Sequence, residues 1–120
     1  MNKSHQKILF TAVLVCYVLL MIIGAIIPDP QDVPVFAGNT KYFHFFGFIL
    51  LAIIVYKTLN LYKCKHENLL AVVLLAVFIV LTEVLQLFVS TRHFSFFDML
   101  IDAAGCAVGI GVYKWILYKR

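Results

Sequence analysis

Five polar side chains in the second half of the sequence stand within two long apolar runs or in the short turn between them: Glu83, Gln86, Arg92, Asp98 and Asp102. The first two come near the end of one run, the two aspartates open the next run, and Arg92 lies in the short turn between them. Carboxyl and guanidinium groups at such positions can bind an ionic group or exchange protons. The spacing indicates a helical hairpin that brings these groups into one layer.

The composition predicts a membrane protein. The chain has 120 residues, of which 63% are hydrophobic and only 13% are charged, whereas soluble domains are roughly 45 to 50% apolar. This length allows one unit of about four spans of roughly 20 residues each, without a separate soluble domain. The net charge of +4 does not indicate nucleic-acid binding, because the basic residues form no stripe and mostly flank the apolar runs as membrane anchors.

We predict an all-α bundle of four transmembrane helices in a single domain, residues 1–120. The helices are expected at about 8–27, 41–59, 69–89 and 96–118, and the prolines between 28 and 40 predict a loop there. The first run is longer than the roughly 7 to 15 residues of a signal-peptide core, and no small-x-small cleavage site follows it. We therefore expect it to be retained as a helix. The three cysteines show neither disulfide nor zinc spacing, and we predict no cofactor.

The distribution of basic residues predicts the orientation. Of the ten Lys and Arg residues, two, Lys41 and Arg92, fall on one side of the four spans, and the others fall on the side that holds both termini. The excess of positive charge predicts that both termini are cytoplasmic. The Arg92 turn and the carboxylates near it then lie towards the external surface.

Depth and rotation predict that the polar groups share one layer. At ~1.5 Å per residue, Glu83 and Asp102 each lie roughly 10 Å from the turn, so they are expected at the same level. On the fourth helix, Asp98, Asp102, Gly105 and Gly109 fall within an arc of roughly 60°. The two glycines, spaced as GxxxG, would let another helix approach on the carboxylate face, either from this chain or from a second subunit.

The second helix is expected to add Lys41 and His44, which share a face because they lie three residues apart. An ionised side chain near mid-bilayer costs about 2.5 to 3.5 kcal/mol, so such groups are expected to face one another or water. Burial and neighbouring carboxylates both penalise an ionised carboxyl. We hypothesise that Glu83, the deepest acid on its helix, keeps its proton.

Simpler roles remain open for several of these side chains. Ser95 and Asp98 fit a capping box at the start of the fourth helix, and Lys41 and Arg92 could lie at the headgroup level. The acid and amide of the third helix could form a structural hydrogen bond between helices. No metal site is predicted, because no ligand-spacing motif joins the candidate ligands, His44, Glu83, Asp98 and Asp102.

Short motifs in a fixed order connect the sequence to a known family. They are Lys41-x-x-His44-Phe45-x-Gly47-Phe48, then Glu83-x-x-Gln86-x-Phe88, Arg92, Asp98, and Gly105 with Gly109. Their order and spacing resemble the VanZ-like family of small bacterial membrane proteins over about residues 27–112. One position departs from the family pattern: Asp102 stands where the family usually has Asn, which changes the charge of the cluster.

The resemblance implies an integral protein of the bacterial cytoplasmic membrane with a role in the cell envelope. The founding member is associated with resistance to the lipoglycopeptide teicoplanin. Two functions therefore fit the polar residues, and we favour the first. The protein could bind a lipid-linked envelope precursor or the lipoglycopeptide in an outward-facing pocket.

The second function is an intramembrane enzyme acting on a lipid headgroup. Its catalytic residues would be Glu83 as general acid or base, His44 as proton shuttle, and Asp98, while Lys41 and Arg92 would bind an anion. Transport is disfavoured, because four short helices enclose little volume. The expected partners are membrane lipids and, through the Gly105 and Gly109 face, a second copy of the chain.

Overall fold

The computed structural model of the protein contains four α-helices and no other regular element in the part of the chain that it describes. It describes residues 2–26, 40–88 and 96–119, with side chains in 2–24, 44–88 and 96–116. The helices are α1 (Lys3–Ile26), α2 (Thr40–Leu61), α3 (Glu67–Gln86) and α4 (Phe96–Lys119). Each is long and apolar enough to cross a membrane. The predicted all-α architecture of four spanning helices is therefore confirmed, while the orientation of the termini stays a prediction.

The helix ends differ from the predicted ones by a few residues, for local reasons. α1 begins at Lys3, five residues before the expected start, because the Asn2 side chain accepts a hydrogen bond from the His5 N–H at 2.9 Å and caps the helix. α2 ends at Leu61, where Lys63 turns the chain with a positive φ of 54°. The Cys64 N–H then donates to the Leu59 carbonyl at 3.3 Å, which closes the helix end.

α2 is the central helix of the bundle. It packs most extensively against α4 and also contacts α1 and α3. α3 contacts all three other helices, whereas α1 and α4 do not meet within the described residues. The buried apolar core follows from this arrangement, since most of its side chains come from α2: Phe48, Leu51, Ala52, Val55 and Tyr56, joined by Ala71, Leu75, Ile79 and Cys106.

Two glycines of α4 explain its close contact with α2. A Cβ atom added at Gly105 would lie 2.5 Å from the Phe45 carbonyl oxygen, and one added at Gly109 would lie 2.5 Å from the Ile49 carbonyl oxygen. Only glycine fits so near a neighbouring backbone. The GxxxG face is thus used for an internal contact with α2. A subunit contact through the same face would have to displace α2, so homo-oligomerisation stays a prediction that needs another surface.

α1 is the peripheral helix. None of the residues of its span is buried. The Tyr17 hydroxyl connects it to the middle of the bundle by donating a hydrogen bond to the Gly47 carbonyl oxygen of α2 at 2.6 Å. Large apolar side chains are exposed along all four helices, for example Leu20, Leu50, Val77 and Leu100, as expected for surfaces that face lipid.

The two ends of the bundle carry different side chains. One end, called the basic end below, holds the start of α1, the 62–66 turn and the last turns of α4, and its lysines are Lys3, Lys7, Lys57, Lys63, Lys65 and Lys114. Contacts between helices fix this arrangement: the Lys7 ammonium lies 5.5 Å from the centre of the Tyr62 ring, and the Lys114 ammonium lies 6.0 Å from that of Tyr56. Glu83 of α3 and the two aspartates of α4, Asp98 and Asp102, lie towards the opposite end.

Candidate functional site

A histidine and an aspartate from different helices form the centre of the candidate site. His44 Nδ1 lies 3.1 Å from Asp102 Oδ1, within hydrogen-bonding distance. Asp102 is completely buried, whereas the His44 side chain is 24% exposed. The pair therefore joins α2 to α4, with the carboxylate inside the bundle and the imidazole partly open to its surroundings.

The close contact of α2 with α4 positions this pair. His44 precedes Phe45, whose carbonyl oxygen lies against Gly105, and Gly105 is one turn from Asp102 on α4. A side chain at position 105 would separate the two backbones. The glycine thus sets the distance at which the imidazole meets the carboxylate.

The acid and amide of α3 also point into the bundle. Glu83 is completely buried and Gln86 is 2% exposed. They lie three residues apart and so share one face of the helix. Thr82, also buried, donates its hydroxyl to the Ile79 carbonyl oxygen of its own helix at 2.9 Å. Glu83 of α3 and Asp102 of α4 are thus both buried inside the bundle, while their joint role in a functional site stays a prediction.

Two buried polar atoms of the cluster have no hydrogen-bond partner among the described residues: Gln86 Nε2 and Asp102 Oδ2. A buried donor or acceptor that stays unsatisfied costs about 1 to 3 kcal/mol, and native proteins seldom keep such groups without a reason. The Gln86 amide can donate a hydrogen bond, and the second Asp102 oxygen can accept one. Their partner could be a ligand, water or a side chain from outside the described ranges.

Two carboxyl groups besides Asp102 lie near enough to the imidazole to act on it through their charge. Glu83 and Asp98 both act electrostatically on His44, and Asp98 also acts on Asp102. Asp98 is half-buried near the start of α4. Three helices thus contribute to one polar cluster, which we define as His44, Glu83, Gln86, Asp98 and Asp102. Its described side chains carry more acidic than basic groups, so it needs protons or cations to balance its charge.

Several predicted members lie outside the described residues. They are Arg92, the side chain of Lys41, and Ser95 of the possible capping box. Their contribution to the cluster stays a prediction. Among the described residues, no three His, Cys, Asp or Glu side chains are grouped so that they could hold a metal ion.

The sequence did not identify the pairing of His44 with Asp102. Asp98 and Asp102 lie one turn apart on the same face of α4, and both were possible partners for a histidine at that depth. The available signal was the family pattern, in which Asp102 stands where Asn is usual, because it marks this acid as the one that differs. The Tyr17 contact with α2 was also missed, since a tyrosine within an apolar run carries no partner information.

The arrangement suits proton exchange and the binding of a polar group. A carboxylate that is hydrogen-bonded to one ring nitrogen fixes the orientation of the imidazole and leaves the other nitrogen, Nε2, for a ligand. Within a low-dielectric bundle, each hydrogen bond to a ligand is electrostatically stronger than in water.

Comparison with known proteins gives the family. The sequence model of the VanZ/LLP1 family matches residues 4–118. An uncharacterized protein of the fission yeast Schizosaccharomyces pombe is 31% identical over 109 residues, which cover 90% of this chain and 65% of the yeast protein. The chain thus spans less than two thirds of this relative, which is eukaryotic. No solved structure matches the chain. The family match extends over all four helices, and the chain belongs to the VanZ/LLP1 family.

Proposed function

We propose that the protein is a membrane protein of the cell envelope whose polar cluster binds the headgroup of a lipid-linked envelope component. Binding there would lower susceptibility to teicoplanin-type lipoglycopeptides. The proposal places the protein in a bacterial cytoplasmic membrane, with both termini inside and the cluster in the outer half of the bundle.

The observation that carries the proposal is the complete burial of Glu83 and Asp102 in a bundle whose core is mainly apolar. Charged side chains within a membrane are costly and normally mark a ligand or ion pathway. The unsatisfied atoms, Gln86 Nε2 and Asp102 Oδ2, supply both a donor and an acceptor. A headgroup with hydroxyl, amide and amine groups, such as a sugar or a peptide, would match this pattern.

The charge of the cluster favours a ligand that donates hydrogen bonds. The described side chains offer three carboxyl groups and one imidazole. Lys41 and Arg92, if they close the site, would reduce this excess and add contacts to a phosphate. The same site could then hold the phosphate and the polar headgroup of one lipid-linked molecule.

The test compares variants at the charged positions, of which the Glu→Gln and Asp→Asn substitutions keep side-chain volume. Glu83→Gln and Asp102→Asn act within the cluster, and Arg92→Ala tests the predicted turn residue. Glu67→Gln is the matched control, because Glu67 lies on the same helix as Glu83 but at the basic end. Each variant is expressed to equal amounts in the membrane of a bacterial host that lacks the protein.

We expect the wild type and Glu67→Gln to raise the inhibitory concentration of teicoplanin, and the cluster variants to return it to the empty-vector value. If Glu83→Gln and Asp102→Asn protect as well as the wild type, the cluster is a structural element and the proposal is wrong.

The His44–Asp102 contact supports a second candidate, an acid–base enzyme that acts on a lipid headgroup. A histidine oriented by a buried carboxylate is a common general acid or base. In such an enzyme, His44 exchanges the proton with the substrate and Asp102 orients the His44 ring. Glu83 or Asp98 also takes part in catalysis. The amounts of lipid-linked precursors decide between the two: an enzyme changes the lipid profile in a His44-dependent way, whereas binding changes susceptibility alone.

A further inference from the structure

The basic end of the bundle contains a second group of polar side chains, far from the polar cluster and independent of its proposed function. Two hydroxyl groups meet there across the contact between α1 and α2. Thr11 Oγ1 of α1 and the Tyr62 hydroxyl, just after α2, lie 2.8 Å apart. This hydrogen bond holds the Tyr62 ring against the first turns of α1.

Two lysines, one from each helix, also lie at the contact between α1 and α2. The Lys7 ammonium of α1 lies 5.5 Å from the centre of the Tyr62 ring. The Lys57 ammonium of α2 lies 5.9 Å from the centre of the Phe10 ring of α1. An ammonium held over an aromatic face keeps N–H donors directed away from the ring. Because Lys7, Phe10 and Thr11 lie within five consecutive residues of α1, these contacts follow one another along the groove between α1 and α2.

The surroundings of the groove are positive. Among the described residues, Glu67 is the only acid at the basic end, and its carboxylate accepts a hydrogen bond from Asn60 at 3.4 Å. Lys63 and Lys65 add further positive charge from the neighbouring turn. An anion bound along this contact would balance part of the positive charge.

The position of the groove suits a phospholipid. Lys7 and Lys57 lie one turn or slightly more inside the ends of their spans, which is the depth of phosphate groups for side chains that reach towards the surface. An exposed apolar side chain, Ile8, follows Lys7 on α1, and others such as Val15 and Leu19 are exposed further along the helix. They can pack against the acyl chains of the same molecule.

We infer that Lys7, Thr11, Lys57 and Tyr62 form a binding site for one anionic phospholipid in the leaflet at the basic end. The two ammonium groups bind the phosphodiester. Of the two hydroxyl groups, the one that accepts the hydrogen bond between them donates its own proton to a phosphate oxygen. Because α1 has no buried residue in its span, a lipid that bridges α1 and α2 also holds α1 in place. General anchoring by positive charge would instead depend on the number of lysines at this end, whichever they are.

The test uses the purified full chain in a neutral detergent, with bound lipid counted by native mass spectrometry. Dioleoyl phosphatidylglycerol and dioleoyl phosphatidylcholine are the two probes. The site variant is the double substitution Lys7→Gln with Lys57→Gln. The matched control, Lys63→Gln with Lys65→Gln, removes the same charge from the same end of the bundle.

We expect the wild type to retain phosphatidylglycerol in preference to phosphatidylcholine. A lysine near an anionic lipid contributes roughly a fivefold affinity, so the site variant should bind phosphatidylglycerol about 30-fold more weakly. The control should keep the preference. Tyr62→Phe, which keeps both lysines and the ring, should weaken binding by a smaller factor and checks the site without a change of charge.

Equal binding of the two lipids by the wild type would overturn the inference. So would an equal loss of phosphatidylglycerol in the site and control variants, because it would reveal general attraction between charges. Circular dichroism verifies that both double variants are helical before binding is compared.

Discussion

Gly105 is the position at which a single methyl group should uncouple the histidine from its carboxylate. In Gly105→Ala, the new Cβ atom would lie 2.5 Å from the Phe45 carbonyl oxygen and 3.2 Å from Phe48 Cβ. The Phe45 oxygen belongs to a helix backbone and cannot move alone. Relief of the contact therefore requires α2 and α4 to separate.

The size of the separation follows from the distances. A carbon and a carbonyl oxygen rest at about 3.3 to 3.6 Å, so the helices must move apart by roughly 1 Å near this position. The His44–Asp102 contact, now 3.1 Å, would lengthen to about 4 Å and lose its hydrogen bond. Overpacking of this kind typically costs about 1 to 3 kcal/mol of stability.

The matched control is Gly111→Ala on the same helix, where a Cβ atom would meet nothing within 4 Å. There, alanine should be neutral or stabilise the helix by up to about 1 kcal/mol. Thermal unfolding in detergent and teicoplanin susceptibility are measured for both variants. We expect Gly105→Ala to unfold at a lower temperature and to lose protection against teicoplanin. Gly111→Ala should keep both the unfolding temperature and the protection of the wild type. If the two variants behave alike, the close contact of α2 with α4 does not position the site.

Three further predictions concern other parts of the chain. Tyr17→Phe removes the hydrogen bond to the Gly47 carbonyl oxygen and should lower the unfolding free energy by about 0.5 to 1.5 kcal/mol, measured by denaturant unfolding of the two proteins; unchanged stability would mean that apolar contacts alone hold α1. Glu83→Leu should keep or raise the unfolding temperature, because it removes a buried acid, while it abolishes protection against teicoplanin; a variant that still protects would remove Glu83 from the site. An impermeant maleimide should label Cys64, which is half-buried in the 62–66 turn, only after the cells are opened. Labelling of Cys64 in intact cells would reverse the proposed orientation.

The helices could be predicted from the sequence because their apolar runs are long and are interrupted by prolines or by clusters of charge. The sequence also predicts that Glu83, Asp102 and the two glycines face the inside of the bundle. Rotation by ~100° per residue places the residues of each helix on one side, and the cost of a charge in lipid turns that side inward. These expectations depend on single helices and on general energetics.

The order of helices around the bundle could not be predicted in the same way. All four runs are apolar on every side, so periodicity does not show that α2 is central and α1 peripheral. The partner of His44 depends on how far α2 slides along α4. Contact of the Phe45 carbonyl with Gly105 sets the position of α2 along α4. This contact joins two helices, so the pattern of residues within either helix does not predict it. The Asn2 cap of α1 was missed because it precedes the first apolar residue by several positions.

The central claim is that an imidazole and a carboxylate from different helices pair inside the bundle. The most direct measurement is the ¹⁵N magnetic resonance of histidine-labelled protein, with the His44 signals assigned from their loss in His44→Gln. We predict that Asp102→Asn shifts the Nδ1 resonance of His44, because the charged acceptor at 3.1 Å is replaced by a neutral one, while Glu67→Gln leaves it unchanged. An Nδ1 resonance that is the same in the wild type and in Asp102→Asn would contradict the pairing.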